Sequence, residues 1–206
     1  MSDVRRTLFL ARHGETDWNA EGRWQGQTDV PLNANGSAQA RALAERMRRE
    51  GIAAIASSDL SRARATAEIV AEALGITGIH TDPDLREQHY GCFEGLTRTD
   101  SAARFPGEWA RYVADWHATP PDGEPYQALV ARVRAATRRI AEVFASPALL
   151  VMHGGAIRAL LGEHTSIPGP ASTGWALHGI PNGGAFRVII ASGHVVEALR
   201  LDAVAR

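Results

Sequence analysis

Lysine is missing from this chain: all 22 basic residues are arginine. That absence excludes a Walker-type phosphate lysine, a Schiff-base lysine and a lysine general base. Cysteine is nearly missing. Cys92 stands alone, so no intramolecular disulfide and no cysteine-built zinc site can form, which fits a reducing cytosol. Excess charge of either sign is missing too, since 22 basic against 23 acidic side chains leave a formal charge of -1. No global field draws the chain to nucleic acid or an anionic membrane, and any anion it binds must be held locally. The apolar run after Arg5 and Arg6, Leu8 to Ala11, is far too short for a signal peptide or a membrane span. Internal repeats and low-complexity tracts are absent. The expectation is a cytoplasmic protein with neither nucleic-acid nor membrane partners.

What is present fits a folded enzyme-sized unit. With 206 residues, 45% hydrophobic and 22% charged, the chain can bury one sizeable core, and 1–206 reads as one domain. Thr7 to Ala11 is strand-like and ends in Arg12-His13-Gly14-Glu15-Thr16. Asn33 opens an alanine-rich helix with Leu43, Ala44 and Met47 at helical spacing, closed by Gly51. Ala53 to Ala56 reads as a buried strand, Ser57-Ser58-Asp59 as caps for a helix with a stripe of Ala63, Ala67, Val70 and Leu74, and Ile76 to Thr81 as a further strand. Leu129, Val133, Ala136, Ile140 and Val143 mark a long amphipathic helix. Ala148 to Met152 is a central strand, followed by His153-Gly154-Gly155 and a helix. Trp175 to Leu177, Ala185 to Ala191 and Val195 to Leu199 read as strands joined by turns.

Alternating strands and helices argue for an α/β fold, a three-layer sandwich whose mostly parallel central sheet is flanked by helices. The stretch at about 82–125 breaks this rhythm. It is rich in proline, glycine and aromatics, among them Tyr90, Phe93, Phe105, Trp109, Tyr112 and Trp116, and reads as a small cap inserted in the domain. In open α/β sheets ligands bind at the carboxyl ends of strands, and Arg12-His13, Ser57-Ser58 and His153 all fall at such ends. A lone histidine there is usually structural; two, each followed by glycine and accompanied by arginine, point to chemistry.

The stretch Leu10-Ala11-Arg12-His13-Gly14-Glu15-Thr16, with Asn19, Gly26, Asp29, Pro31, Leu32, Gly36 and Gln39-Ala40, resembles the opening of the histidine phosphatase superfamily, phosphoglycerate-mutase-like branch. The resemblance continues in Ser58-Asp59-Leu60-Ser61-Arg62-Ala63, Leu85-Arg86-Glu87, Gly91, Glu94-Gly95, Gly123-Glu124 and Val151-Met152-His153-Gly154-Gly155 with Arg158; Asn182 is a looser match. It implies that His13 attacks a phosphate ester through a neutral ring nitrogen and becomes phosphohistidine. Arg12 and Arg62 would grip the phosphoryl oxygens, His153 would donate a further hydrogen bond, and Glu87 would serve as general acid and then base. Asn19, Gln25, Gly26 and Gly154 would line the phosphate or its ester group; Thr16 would do likewise or cap a turn. The resemblance implies no metal and no cofactor, a small phosphorylated metabolite as partner, and leaves a homo-oligomer open.

Rival readings remain at this point. Cys92 to Thr99 satisfies the C-x5-R-T pattern of cysteine-dependent phosphatases, but Arg86-Glu87-Gln88-His89 precedes it where a hydrophobic strand belongs, and Phe93 and Glu94 crowd the would-be cradle. A phosphoglycerate mutase would need a longer insertion between Gly95 and Gly123 to enclose its substrate and exclude water. A non-catalytic phosphate-binding module would not require both His13 and Glu87. Acyl hydrolysis lacks a G-x-S-x-G elbow. His80, His117, His164, His178 and His194 share no metal-ligand spacing, and His89 stays undecided. Trp18 and Trp24 are expected to pack the loop after His13, while Trp109 and Trp116 fill the cap or face a substrate. Arg98, Arg104 and Arg111 offer a second anion site or plain surface. Pro125 stands where the family often has serine.

Overall fold

A computed structural model describes residues 5–115, 117–144, 147–162 and 179–201. The strand expected at Trp175 to Leu177, and Trp116, His164 and His178, lie outside the described residues. The centre is made by two strands, β1 (Arg6–Arg12) and β4 (Ala148–Met152), which pair in parallel with Arg12 opposite Met152. All five residues of β4 are buried, the unbroken apolar run of a strand covered on both faces. Adding β2 (Ala54–Ser57), β3 (His80–Thr81), β5 (Ala185–Ala191) and β6 (His194–Arg200) gives the sheet order β3-β2-β4-β1-β5-β6. The first four strands run parallel, and β5 and β6 are antiparallel to their neighbours.

Side-chain alternation splits this sheet between two cores. Leu8, Leu10, Leu150 and Met152 join the face covered by α6 (Tyr126–Val143) and α7 (Gly154–Leu161), where Leu129, Val133, Ile140 and Ile157 are buried. Phe9, Ala11, Leu149 and Val151 join the other face, against Leu43, Met47, Ala63, Ala67 and Val70 of α2 (Ala34–Met47) and α3 (Ser61–Leu74). This is the expected three-layer α/β sandwich.

Between β3 and α6 the chain leaves the sandwich. It forms α4 (Arg98–Arg104), α5 (Pro106–Ala114) and two short 3-10 turns around a separate aromatic cluster of Tyr90, Phe93 and Tyr112, with Trp24, Cys92, Phe105 and Trp109 packed on it. Trp24 belongs to the long connection after β1, which also holds α1 (Asp17–Ala20). The backbone N–H of Trp24 donates to Leu96 O and that of Gly95 to Trp24 O, so the cap is stitched to the β1–α2 connection.

Several local expectations are corrected. The third strand is His80–Thr81 rather than Ile76 to Thr81, since positive-φ Gly78 interrupts it. Helix α2 ends at Met47, and the chain turns through residues 48–50 before reaching Gly51. Val143, counted on the apolar stripe of α6, is 77% exposed in its last turn. The Ser57-Ser58-Asp59 segment does not cap α3 by the expected route. The Ser61 N–H donates to Asp29 Oδ1 at 2.8 Å, across the fold, while Asp59 accepts two bonds from Arg86. A cap contributed by a distant loop has no signature in local sequence. Asp29→Ala is therefore expected to lower the urea midpoint of unfolding with an unchanged slope. Retention of the wild-type midpoint would show that α3 needs no such cap.

Candidate active site

The site grows from the carboxyl ends of β1 and β4. After Arg12 the ladder continues for one residue, with His13 N–H donating to Met152 O at 3.0 Å. Then the chain turns away: Gly14 N–H donates to Thr66 Oγ1 on α3, and the Thr66 hydroxyl donates to Arg62 O. His153, directly after β4, is the N-terminal flanking residue of α7. Adjacent parallel strands thus deliver two histidines side by side, their ring centroids 5.1 Å apart.

His13 Nδ1 lies 2.6 Å from Gly14 O. A carbonyl only accepts, so Nδ1 carries the proton and Nε2 keeps its lone pair. Burial first, then the Arg62 and Arg12 charges, push this ring well below the ordinary histidine pKa, which makes it neutral. His153 is fully buried, and among the described residues neither of its ring nitrogens has a hydrogen-bond partner. Burial, then Arg62, His13 and Arg12, lower its pKa in the same way.

Arg62 is the largest fully buried side chain of the described residues. Its Nη1 donates to Thr28 O and its Nη2 to Gly26 O, both at 2.8 Å, while Nε is buried without a partner among the described residues. Burial lowers its pKa to about 10, against the opposing pull of Glu87, so it stays charged at neutral pH. Arg12 repeats the pattern, with Nη1 donating to Ile180 O and Nε buried and, among the described residues, unpartnered. Each such buried polar group costs about 1–3 kcal/mol unless something accepts from it. Two guanidinium N–H groups and an imidazole therefore stand ready for an acceptor-rich, anionic group beside the His13 lone pair.

Glu87 arrives from the cap side. Its Oε1 accepts from Gln88 N–H at 2.9 Å and its Oε2 from Gly155 N–H at 2.8 Å, at the start of α7. A Cβ on residue 155 would fall 2.1 Å from Glu87 Oε1, so any side chain at the second glycine after His153 would displace this carboxylate. Glycine at 26 has a parallel reason. Its φ is +54°, and a Cβ there would meet the carboxylate of Glu94, which accepts from the Gln27 and Thr28 N–H groups and thereby shapes the loop that holds Arg62.

A cavity of about 140 Å³ gathers Arg12, His13, Asn19, Gln25, Gly26, Arg62, Glu87 and Gly154 from the expected set. His153 sits behind it against the His13 ring. Asn19 Oδ1 accepts from Thr16 N–H and Asn182 Nδ2, which leaves its own Nδ2 to the cavity. Thr16 is corrected: it does not line the cavity. It is fully buried, caps α1 in a capping box with Asn19, and donates to Gln25 Oε1.

Four lining residues were not among the expected ones: Arg23, Trp24, Tyr90 and Arg158. Arg158 lies one helical turn beyond Gly154 on α7, a spacing that puts both on one face and was readable in the sequence. Trp24 and Tyr90 reach the cavity from opposite sides of the cap seam, 4.8 Å between ring centroids, which no local pattern reveals. The cap arginines are elsewhere. Arg98 stacks over Trp24 and Arg104 over Phe105, and Arg111 does not line the cavity. Trp109 packs in the aromatic cluster against Trp24, Phe93 and Tyr112.

Cys92 is not the nucleophile of a phosphate loop. It sits in the 3-10 turn Gly91–Phe93, its N–H donates to Pro121 O, and burial raises its thiol pKa. Of the remaining histidines, His80 packs on Phe144 and His117 on Tyr126, and His89 lies 3.7 Å from Glu94 outside the cavity lining. Among the described residues no group of three or more His, Cys, Asp or Glu could hold a metal ion, and no helix is long and apolar enough to cross a membrane.

Two buried neutral histidines leave a signature in stability. The unfolded chain takes up these protons near pH 6.5 while the folded chain does so only at much lower pH, so their contribution is complete above about 6.5 and lost as pH falls below it. In phosphate-free buffer, the unfolding free energy of wild type should drop between pH 7 and pH 5, and His153→Asn should remove part of that slope. An unchanged slope in His153→Asn would contradict the neutral, buried state of this ring.

Comparison with known proteins agrees with this geometry. Residues 8–200 match the model of the histidine phosphatase superfamily, branch 1. The chain is 41% identical over 164 residues to a probable phosphoglycerate mutase GpmB of Serratia proteamaculans (strain 568), covering 78% of this chain and 75% of that one. Among solved structures, a mycobacterial glucosyl-3-phosphoglycerate phosphatase, in complex with VO3, aligns with a TM-score of 0.77 at 33% identity, over 89% of this chain and 90% of that one. A putative alpha-ribazole-5'-P phosphatase from Escherichia coli str. K-12 substr. MG1655 aligns with a TM-score of 0.77 at 26% identity, over 98% of both chains. With Arg12-His13-Gly14 and His153 meeting at the ends of two neighbouring strands, this chain belongs to the histidine phosphatase superfamily, a catalytic family that holds both phosphatases and phosphoglycerate mutases.

Proposed function

We propose that the protein is a metal-independent phosphatase that hydrolyses a small phosphate monoester through a phosphohistidine on His13. The observation that carries this reading is the His13 ring, neutral, with Nδ1 committed to Gly14 O and Nε2 open beside unpartnered buried donors of Arg12, Arg62 and His153. In the first step His13 Nε2 forms a bond to phosphorus, the phosphorus–oxygen ester bond breaks, and the Glu87 carboxyl gives its proton to the leaving oxygen. In the second, water attacks the phosphohistidine, Glu87 takes the water proton, and the phosphorus–nitrogen bond breaks. Arg12, Arg62 and His153 hold the equatorial oxygens, whose charge is answered by fixed donors in place of a metal ion. Asn19 and Gln25 add amide donors. The segment 82–125 acts as the cap over the leaving group, with Tyr90 and Trp24 as its inner wall.

Arg158 bears on the substrate. Among the described residues it forms no hydrogen bond or ion pair, and its charge lowers the proton affinity of Tyr90 and Tyr112 on the cap side, although burial raises both pKa values overall. It also acts on Arg12, beside which it lies near Gly154, and does not figure among the charges acting on His13 or His153. A second cation standing between Arg12 and the cap tyrosines suits a leaving group that bears a second acidic function, as in the phosphoglycerate named for the relatives. The mutase reading is favoured by the names of relatives, curated and solved. The short connection between Gly95 and Gly123 weighs against it, because without a longer lid water reaches the phosphohistidine.

The test is hydrolysis of p-nitrophenyl phosphate in EDTA by wild type, His13→Ala and Cys92→Ser, with acid-labile phosphoenzyme measured in parallel and phosphorus NMR used to look for an isomerised phosphoglycerate. Activity should survive EDTA and Cys92→Ser and vanish with His13→Ala together with the phosphoenzyme. Undiminished turnover by His13→Ala, or isomerisation outrunning hydrolysis, would overturn the reading. Glu87→Gln should slow alkyl phosphates by about 10²–10⁴-fold and nitrophenyl phosphate much less, because a good leaving group needs no proton. Equal slowing of both would remove Glu87 from the acid role.

A further inference from the structure

Glu87 is fixed at its tip by two backbone N–H groups, but one of them belongs to its own neighbour Gln88, so the carboxyl can be no better placed than the loop that carries it. Three carbonyls of that loop, those of Asp84, Arg86 and Glu87, converge on one side chain of α6. Arg132 Nη1 donates to Asp84 O at 2.9 Å and to Arg86 O at 2.7 Å, and Nη2 donates to Glu87 O at 2.8 Å. The remaining donors go to one carboxylate, Nε to Glu124 Oε1 at 2.6 Å and Nη2 to Glu124 Oε2 at 2.7 Å. All five N–H groups of a guanidinium are thereby used.

Glu124 is anchored in turn, since its N–H donates to His89 O and its carbonyl accepts from Gln88 Nε2. The clamp therefore grips the acid-bearing loop on both sides of the glutamate. It also joins that loop to the end of the cap segment and to a helix of the sandwich. The pair is only 17% and 14% exposed, where a charge-assisted fork keeps most of its strength. Of the other tethers on this loop, Arg86 pairs with Asp59 and Arg139 with Asp82 and Asp84, away from Glu87, while Gln27 Nε2 adds one longer bond, 3.3 Å, to the Glu87 carbonyl without touching residues 84 or 86.

We propose that Arg132 and Glu124 form a positioning pair for proton transfer, setting the height of Glu87 over the leaving oxygen by holding the carbonyls of residues 84, 86 and 87. The proposal rests on the reading of Glu87 as the general acid. It also gives the Gly123-Glu124 motif a purpose: the glutamate orients the arginine, and the arginine orients the acid. A side chain that acts through another differs from one that merely stiffens the cap, because displacing an acid matters in proportion to how much the leaving group needs its proton.

The experiment compares kcat/KM for an alkyl phosphate and for p-nitrophenyl phosphate in wild type, Arg132→Gln, Arg132→Lys, Glu124→Gln and Glu87→Gln, and in the Arg132→Gln, Glu87→Gln double variant, with thermal unfolding recorded for each. Arg132→Gln should widen the gap between the two substrates by about tenfold or more, with Glu124→Gln moving it in the same direction by less. Arg132→Lys, which keeps the charge without the fork, should not restore the wild-type ratio. In the Glu87→Gln background the added loss from Arg132→Gln should shrink to about twofold or less, since there is no acid left to misplace. Equal losses on both substrates, or losses that add fully to those of Glu87→Gln, would overturn the positioning role and leave a structural clamp. Should Arg132→Gln fail to fold, Glu124→Gln decides, an unchanged ratio there overturning the proposal. If Glu87→Gln itself shows no dependence on the leaving group, the acid reading fails, and the positioning proposal falls with it for that separate reason.

Discussion

The guanidinium of Arg62 is buried in the interior with its charge intact, and much of the surrounding structure answers to that constraint. A buried cation must find acceptors or the fold pays several kcal/mol. Two come from the Gly26 and Thr28 carbonyls, which requires the loop between β1 and α2 to double back over α3. That loop holds its shape because Glu94, from the cap, accepts its Gln27 and Thr28 amides. The backbone of Arg62 meanwhile accepts from Thr66, which holds Gly14 and so fixes the turn after His13. One buried charge thus links the sheet, the first long connection and the cap.

The same burial sets the protonation of the site. Imidazoles beside cations in a dry interior lose their protons, and His13 and His153 both do. A neutral ring with one nitrogen committed to a backbone carbonyl is a nucleophile without an adjacent base. In the proposed reaction positive charge therefore serves twice, first keeping the ring neutral and then balancing an incoming anion. No lysine does this work. Arginine suits it better, because each guanidinium can spend its Nη groups on carbonyls and still keep Nε for a ligand.

Glu87, the acid of the proposed reaction, shows the opposite economy, standing on a loop and not on a strand end. Loops give access, and their mobility has to be curbed if a proton is to pass reliably. Arginines from α6 hold its carbonyls and carboxylates, Arg86 of the loop ties it outward to Asp59, and Gly155 clears the space into which the carboxylate leans.

Much of this was legible in the chain. Periodicity marks the strands and the two-sided sandwich, because alternation in Leu8 to Ala11 and Ala148 to Met152 has to serve two cores at once. Resemblance to the family names His13, Arg12, Arg62, Glu87 and His153, and the strand ends that carry Arg12, His13 and His153 agree with it. What the sequence could not show was partnership across distance: that Asp29 caps α3, that Thr16 turns inward to a cap while Asn19 faces the cavity, that Trp24 and Tyr90 share one wall. Arg132, on the polar flank of an amphipathic helix, reads as a solvated charge until the fold brings three carbonyls and a carboxylate to it. Local pattern determines which residues are buried or turned because those preferences act over one or two helical turns. Which donor meets which acceptor is decided only when segments far apart in the chain are packed together.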